Sequence, residues 1–153
     1  MNDFAVAIAL HVSAIVVWIG GVGFVVLAML PAIRRDYPAE QRLTVFLRIE
    51  GKFVWWARAA VLIAGASGVW MVDRLDLWPD FALARYWWLH AMLCLWLVFA
   101  AMLFLIEPLF LHRRLAAAKR PERAFRRMEV LHRVLFALSL ITVFGAAAGS
   151  HGL

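Results

Sequence analysis

One cysteine, Cys94, is all the chain contains. That excludes an intramolecular disulfide and any CxxC metal site, and it makes cysteine chemistry an unpromising theme. Charge is also scarce, with Asp, Glu, Lys and Arg at 17% of 153 residues. The formal net charge is +6, yet there is no separate basic domain of the kind a nucleic-acid binder carries. The basic residues sit in connectors beside apolar segments, where they set membrane orientation. Low-complexity segments, internal repeats and soluble appendages are missing as well. The N-terminal stretch lacks the basic n-region of a secretory signal: Asp3 is its only nearby charge, and its apolar run is too long, so it is expected to stay as a membrane anchor.

What fills the chain instead is apolar residue, 65% of the total, with a mean hydropathy of +0.82. A chain this short has no core large enough to hide that surface, so lipid is its natural solvent. The apolar residues fall into long runs, each near the roughly 20 residues a helix needs to cross about 30 Å of hydrocarbon. They predict helices over about 4–30, 54–72, 86–111 and 130–148, within a single transmembrane domain spanning 1–153. The fold class is all-α, an integral membrane bundle of four helices. Short connectors favour sequential antiparallel neighbours, hence up-down-up-down topology.

Charge orients the bundle. The first connector carries Arg34, Arg35, Arg42, Arg48 and Lys52; the third carries Arg113, Arg114, Lys119, Arg120, Arg123, Arg126 and Arg127. Both should be cytoplasmic. The second, with Asp73, Asp76 and Asp80 against Arg74 and Arg85, should lie outside with both termini, so the chain reads as N-out and C-out in a bacterial-type inner membrane. Leu43, Phe46, Leu47 and Phe53 share one helical face, and the stretch from Arg114 to Arg127 is helix-compatible, so both cytoplasmic connectors are expected to extend neighbouring helices. Pro121 and the Tyr37-Pro38 pair should break those extensions.

Small residues mark expected close approaches: Gly20, Gly21 and Gly23, then Ala64, Gly65 and Gly68, then the GxxxG pair Gly145 and Gly149. That last pair serves packing within the bundle or, alternatively, the face of a homodimer. Trp55 and Trp56 should mark the inner interface and Trp70, Trp78, Trp87 and Trp88 the outer one. Trp18 and Trp96 remain at mid-membrane depth, as core or as the wall of a planar cofactor site.

Ionisable side chains in hydrocarbon are costly enough to be treated as functional, which draws attention to the five histidines. His11 and His90 lie near the outer ends of the first and third helices, at similar depth and diagonally across the bundle. Two imidazoles so placed suit the two axial positions of a b-type haem. The stripe His11, Ala14, Trp18, Gly21 follows i, i+3, i+7, i+10 and offers a ligand, a wall and a close approach. His151 arrives at the same end. Copper is the alternative occupant, because neutral imidazole suits either metal, and histidines merely hydrogen-bonded in the bundle are the third reading. A second candidate site belongs to the inner end: His112, His132 opening the fourth helix, and Glu107 with Arg58, which should pair. It reads as a structural ion pair, a second metal site, or a site for a proton or quinone headgroup. His90 and His112 are 22 positions apart, about 33 Å along a helix, so one cofactor cannot touch both.

The segment Ala9-Leu10-His11-Val12, through Trp18-Ile19-Gly20-Gly21 to Pro31, followed by Trp87-Trp88-Leu89-His90, resembles the CopD/HemJ-like superfamily of small polytopic membrane proteins. The resemblance spans the four helices through short motifs. It implies copper handling or haem-associated oxidation, with His11 matching the first-helix histidine and His90 the third-helix one. The oxidase branch has a lysine after its third-helix motif and Tyr-Leu-Pro-Arg after helix one. Met92 and Leu30-Pro31-Ala32 stand here, which argues against that oxidase. Met-rich and Cys-rich runs for Cu(I) are missing too. The expected function is therefore a haem b membrane redox protein, carrying electrons or oxidising a quinol-type reductant. Its expected partners are the bilayer and a quinone or redox protein. Copper translocation and a non-catalytic membrane subunit are the alternatives.

Overall fold

Backbone polar groups facing lipid must find partners within their own segment, and helices satisfy that demand. The computed structural model describes residues 3–111 and 120–150, and these contain helices and turns but no strand. Four stretches are long and apolar enough to cross a membrane: Asp3–Asp36, Ala39–Arg74, Ala84–Pro108 and Pro121–Gly149. The first comprises α1 (Asp3–Phe24), a π-helical turn at Val25–Met29, and α2 (Leu30–Asp36). The second is α3 (Ala39–Arg74). Two 3-10 turns, Pro79–Ala82 and Ala84–Tyr86, lead into α4 (Trp87–Ala101), which continues as π-helix over Met102–Leu111. The last is α5 (Pro121–Ser150).

All four expected spans are helical, but α3 and α5 begin well before the apolar runs that predicted them. The prolines set those starts. Tyr37 is extended (φ −125°, ψ 142°), as a residue before proline is biased to be, and Pro38 caps α3. Pro121 occupies the first residue of α5, where its missing N–H costs nothing. The extensions hold because they bury a face. Leu43 and Phe46 of α3 pack with Val25, Met29, Leu30 and Ile33 of the first stretch and with Phe125 and Met128 of α5. This arginine-rich end thus has a core of its own.

A second core binds all the spans together: Ala14, Trp18, Ile19 and Val22 meet Ala60, Val61, Ala64, Leu95, Phe99 and Leu135. α1 packs chiefly along α3, and their contacts run in opposite order, Phe4 beside Trp70, His11 against Ala64, and Gly21 beneath Phe53. α3 and α4 do the same: Trp96 Nε1 donates to the Val61 carbonyl (2.8 Å), and Arg58 reaches Leu103 and Glu107. α4 is the least enclosed span, with 11% of its most apolar window buried against 39% for the first, which places it at the edge.

The glycines serve these approaches with one exception. Gly65 lies under the Trp96 indole, Gly68 against His11, Gly23 against Phe136, and Gly145 and Gly149 under Trp87 and Trp88. Gly20 meets nothing within 4 Å among the described residues, so the expected close approach is not made there by them. The GxxxG pair is thus used for packing inside the chain. Gly145→Leu must displace the Trp87 ring, and overpacking of this kind costs about 1–3 kcal/mol. Thermal unfolding in detergent should show the loss, whereas Gly20→Leu should leave the midpoint nearly unchanged. Of the tryptophans expected at the two interfaces, Trp55, Trp56, Trp78 and Trp87 are exposed, and Trp70 and Trp88 are half-buried.

Candidate functional site

His11 is held by α3 through one ring nitrogen. Its Nδ1 lies 2.9 Å from the Ala64 carbonyl and 3.1 Å from Ser67 Oγ, and Gly68 leaves room for the ring edge. A carbonyl only accepts, so Nδ1 carries the proton and Nε2 of the neutral ring keeps its lone pair. Ser67 spends its own hydroxyl proton on the Ile63 carbonyl (2.6 Å), which holds its oxygen in place. Nε2 has no protein partner among the described residues. A histidine anchored through one nitrogen to a carbonyl, with the other nitrogen unspent, is the usual form of a metal ligand.

His90 is placed differently. Its Nε2 lies 2.9 Å from the Phe81 carbonyl and its Nδ1 3.3 Å from the Tyr86 carbonyl, while the ring packs edge-on to Phe81. Both acceptors belong to the 3-10 loop, so His90 ties that loop to the start of α4. A neutral imidazole has one proton to donate, and the shorter distance assigns it to Nε2. The Trp18 and Phe99 rings meet at 4.8 Å, and from that level His11 and His90 lie about 10 Å and 13 Å toward the same end. The two side chains nevertheless turn to different partners.

The rest of the stripe is absorbed by packing. Trp18 is 4% exposed in the central core, edge-on to Phe99, and its Nε1 has no hydrogen-bond partner among the described residues. The space left by Gly21 is filled by the Phe53 ring. His151 lies outside the described residues, as does His112.

At the other end the expected Arg58–Glu107 pair is present at 2.5 Å, with both side chains largely buried. His132 does not join it. Because α5 starts at Pro121, His132 sits turns inside the helix and does not open it. Its Nδ1 lies 2.9 Å from the Met128 carbonyl and its Nε2 3.4 Å from Glu50 of α3, with the ring edge-on to Phe46. Among the described residues, Arg58 with Glu107 and His132 with Glu50 are the contacts at this end, and each reaches α3.

A third group, centred on Glu129, has only a faint signal in the sequence. The Glu129 carboxylate, 4% exposed, accepts from Arg34 (2.9 Å) and from Arg133 (2.7 Å). The signal for it was an acid four residues before an arginine at the edge of an apolar run. The described residues contain no group of three or more His, Cys, Asp or Glu able to hold a metal ion.

No protein-family model matches the chain, and neither a curated protein nor a solved structure proved similar to it.

Proposed function

We propose that the chain is a haem b-binding redox protein of a bacterial-type cytoplasmic membrane, an up-down-up-down bundle with both termini outside. The observation that supports it is His11, whose Nδ1 is fixed by the Ala64 carbonyl and Ser67 while Nε2 keeps a free lone pair. The fit to haem is uneven. His11 suits an axial ligand as it stands, whereas His90 can ligate only by giving up the Phe81 carbonyl. A bound haem would supply one-electron transfer. The chain's own contribution is to hold the His11 tautomer and to keep water from the core around Trp18 and Phe99. Opposed contact order between α1, α3 and α4, and arginines gathered at one end, support the topology and its orientation.

A copper ion on the same histidines is less well supported, because no group of three donors is assembled among the described residues. The test is a spectrum. Protein purified in detergent after expression with ample haem should show a Soret band and an α-band that sharpens on reduction. His11→Ala should abolish both. His90→Ala should weaken them if His90 exchanges its carbonyl for iron and leave them intact if His11 ligates alone. Absence of both bands from the wild-type protein ends the haem reading, and stoichiometric copper in the same sample would replace it.

A further inference from the structure

The arginine-rich end holds a groove that neither haem nor histidine explains. One part, about 230 Å³, lies between α2, α3 and α5 and is lined by Arg34, Arg42, Arg123 and Arg126, with Glu122 its only acid and Phe125 in its wall. The adjoining part, about 550 Å³, shares Arg123 and Arg126, adds Arg127, and continues over Val130, Leu131 and Val134. Positions 123, 126, 127, 130, 131 and 134 recur at helical spacing and so form one face of α5, cationic at its start and apolar beyond.

Three of the five arginines here are not consumed by ion pairs or carbonyls of the described residues. Arg34 is held by Glu129, and Arg42 donates to the Tyr37 and Arg34 carbonyls, which fixes it across the α2–α3 turn. Arg123, Arg126 and Arg127 form no ion pair with any described residue. The eight residues at 112–119 contain no acid to neutralise them. Several guanidinium groups around one small space suit a phosphate, whose oxygens accept their paired N–H groups. A quinone headgroup is neutral and has no use for such charge.

The apolar half identifies the kind of phosphate. Val130 and Val134 are about half exposed and Leu131 more than a third, directly along the helix from the arginines. A free anion gains nothing from that surface, whereas an acyl chain does. Basic pockets between membrane helices on the cytoplasmic side are where anionic headgroups bind.

We propose that this groove binds an anionic phospholipid, its phosphate held by Arg42, Arg123 and Arg126 and an acyl chain lying along Val130, Leu131 and Val134. The inference rests on the membrane placement above and is independent of haem.

The experiment is native mass spectrometry of the detergent-purified full chain titrated with phosphatidylglycerol or phosphatidylcholine, with thermal unfolding in inorganic phosphate as a parallel arm. Wild-type protein should retain phosphatidylglycerol at least tenfold better than phosphatidylcholine. Arg123→Gln with Arg126→Gln should remove that preference, and these exposed, unpaired side chains can be changed without loss of fold. Val134→Trp, which fills the apolar half, should weaken retention of the lipid and leave any response to inorganic phosphate unchanged. Equal retention of the two lipids, or undiminished preference in the double variant, overturns the proposal. Stabilisation by inorganic phosphate with no lipid preference would make it a free-anion site and overturns it too.

Discussion

Arg58→Met will destabilise the bundle by about 3–5 kcal/mol, the range expected when one partner of a buried ion pair is removed. Arg58 is 15% exposed, and its guanidinium does two jobs at once: Nη2 bonds Glu107 and Nε donates to the Leu103 carbonyl at 3.0 Å. The second bond follows from the backbone. Over Met102–Leu111 the chain is π-helical, so each carbonyl looks to the N–H five residues on. For Leu103 that residue is Pro108, which has no N–H. Arg58 supplies the missing donor from a neighbouring helix and stacks over Trp55 at 4.8 Å as it does so. Methionine keeps the length of the side chain but removes the Arg58 cation from beside Glu107 and leaves the Leu103 carbonyl without this donor. Chemical unfolding in detergent would measure the loss. Adding Glu107→Gln should recover the electrostatic part, and adding Pro108→Ala should recover more by giving the helix a donor. A single variant as stable as wild type would show that the guanidinium is dispensable.

The contrast between Arg58 and His90 shows what the sequence could carry. Arg58 and Glu107 stood out because each lies about one turn inside an apolar run, where few other charges exist to satisfy them. Pairing was then forced by cost. His11 and His90 were equally visible, and their common depth followed from helix lengths, but nothing in a one-dimensional pattern says which way an imidazole turns. His11 is claimed by Ser67 and the Ala64 carbonyl because Gly68 lets α1 and α3 approach closely. His90 is claimed by a loop whose 3-10 turns present carbonyls beyond the start of α4. The arginine-rich end was legible in part. The shared face of Leu43, Phe46, Leu47 and Phe53 announces that α3 extends below its apolar run, but an amphipathic pattern does not show that the extensions bury Glu129 or bring Glu50 to His132. Hydropathy alone puts His132 at the mouth of a helix, whereas it lies within one, beside Glu50.

The Glu129 group should respond to mutation asymmetrically, which separates its members by burial. Its carboxylate is 4% exposed, whereas Arg34 and Arg133 are each 54% exposed. If Glu129 becomes leucine, both guanidinium groups can turn to water or lipid phosphate, so the charge left behind is solvated and the change in stability should be small. If Arg34 and Arg133 both become methionine, the carboxylate stays in the protein with neither cation. An uncompensated buried charge of this kind costs about 3–5 kcal/mol. Glu129→Gln added to the double variant removes the charge but not the shape, and should restore most of that loss. Unfolding of the four proteins in one detergent would test the order. Equal effects of Glu129→Leu and of the double arginine variant would show that the pairs act as ordinary surface bridges, worth about 0–1 kcal/mol. Recovery by glutamine would show instead that the buried carboxylate sets the requirement, with the arginines present to answer it.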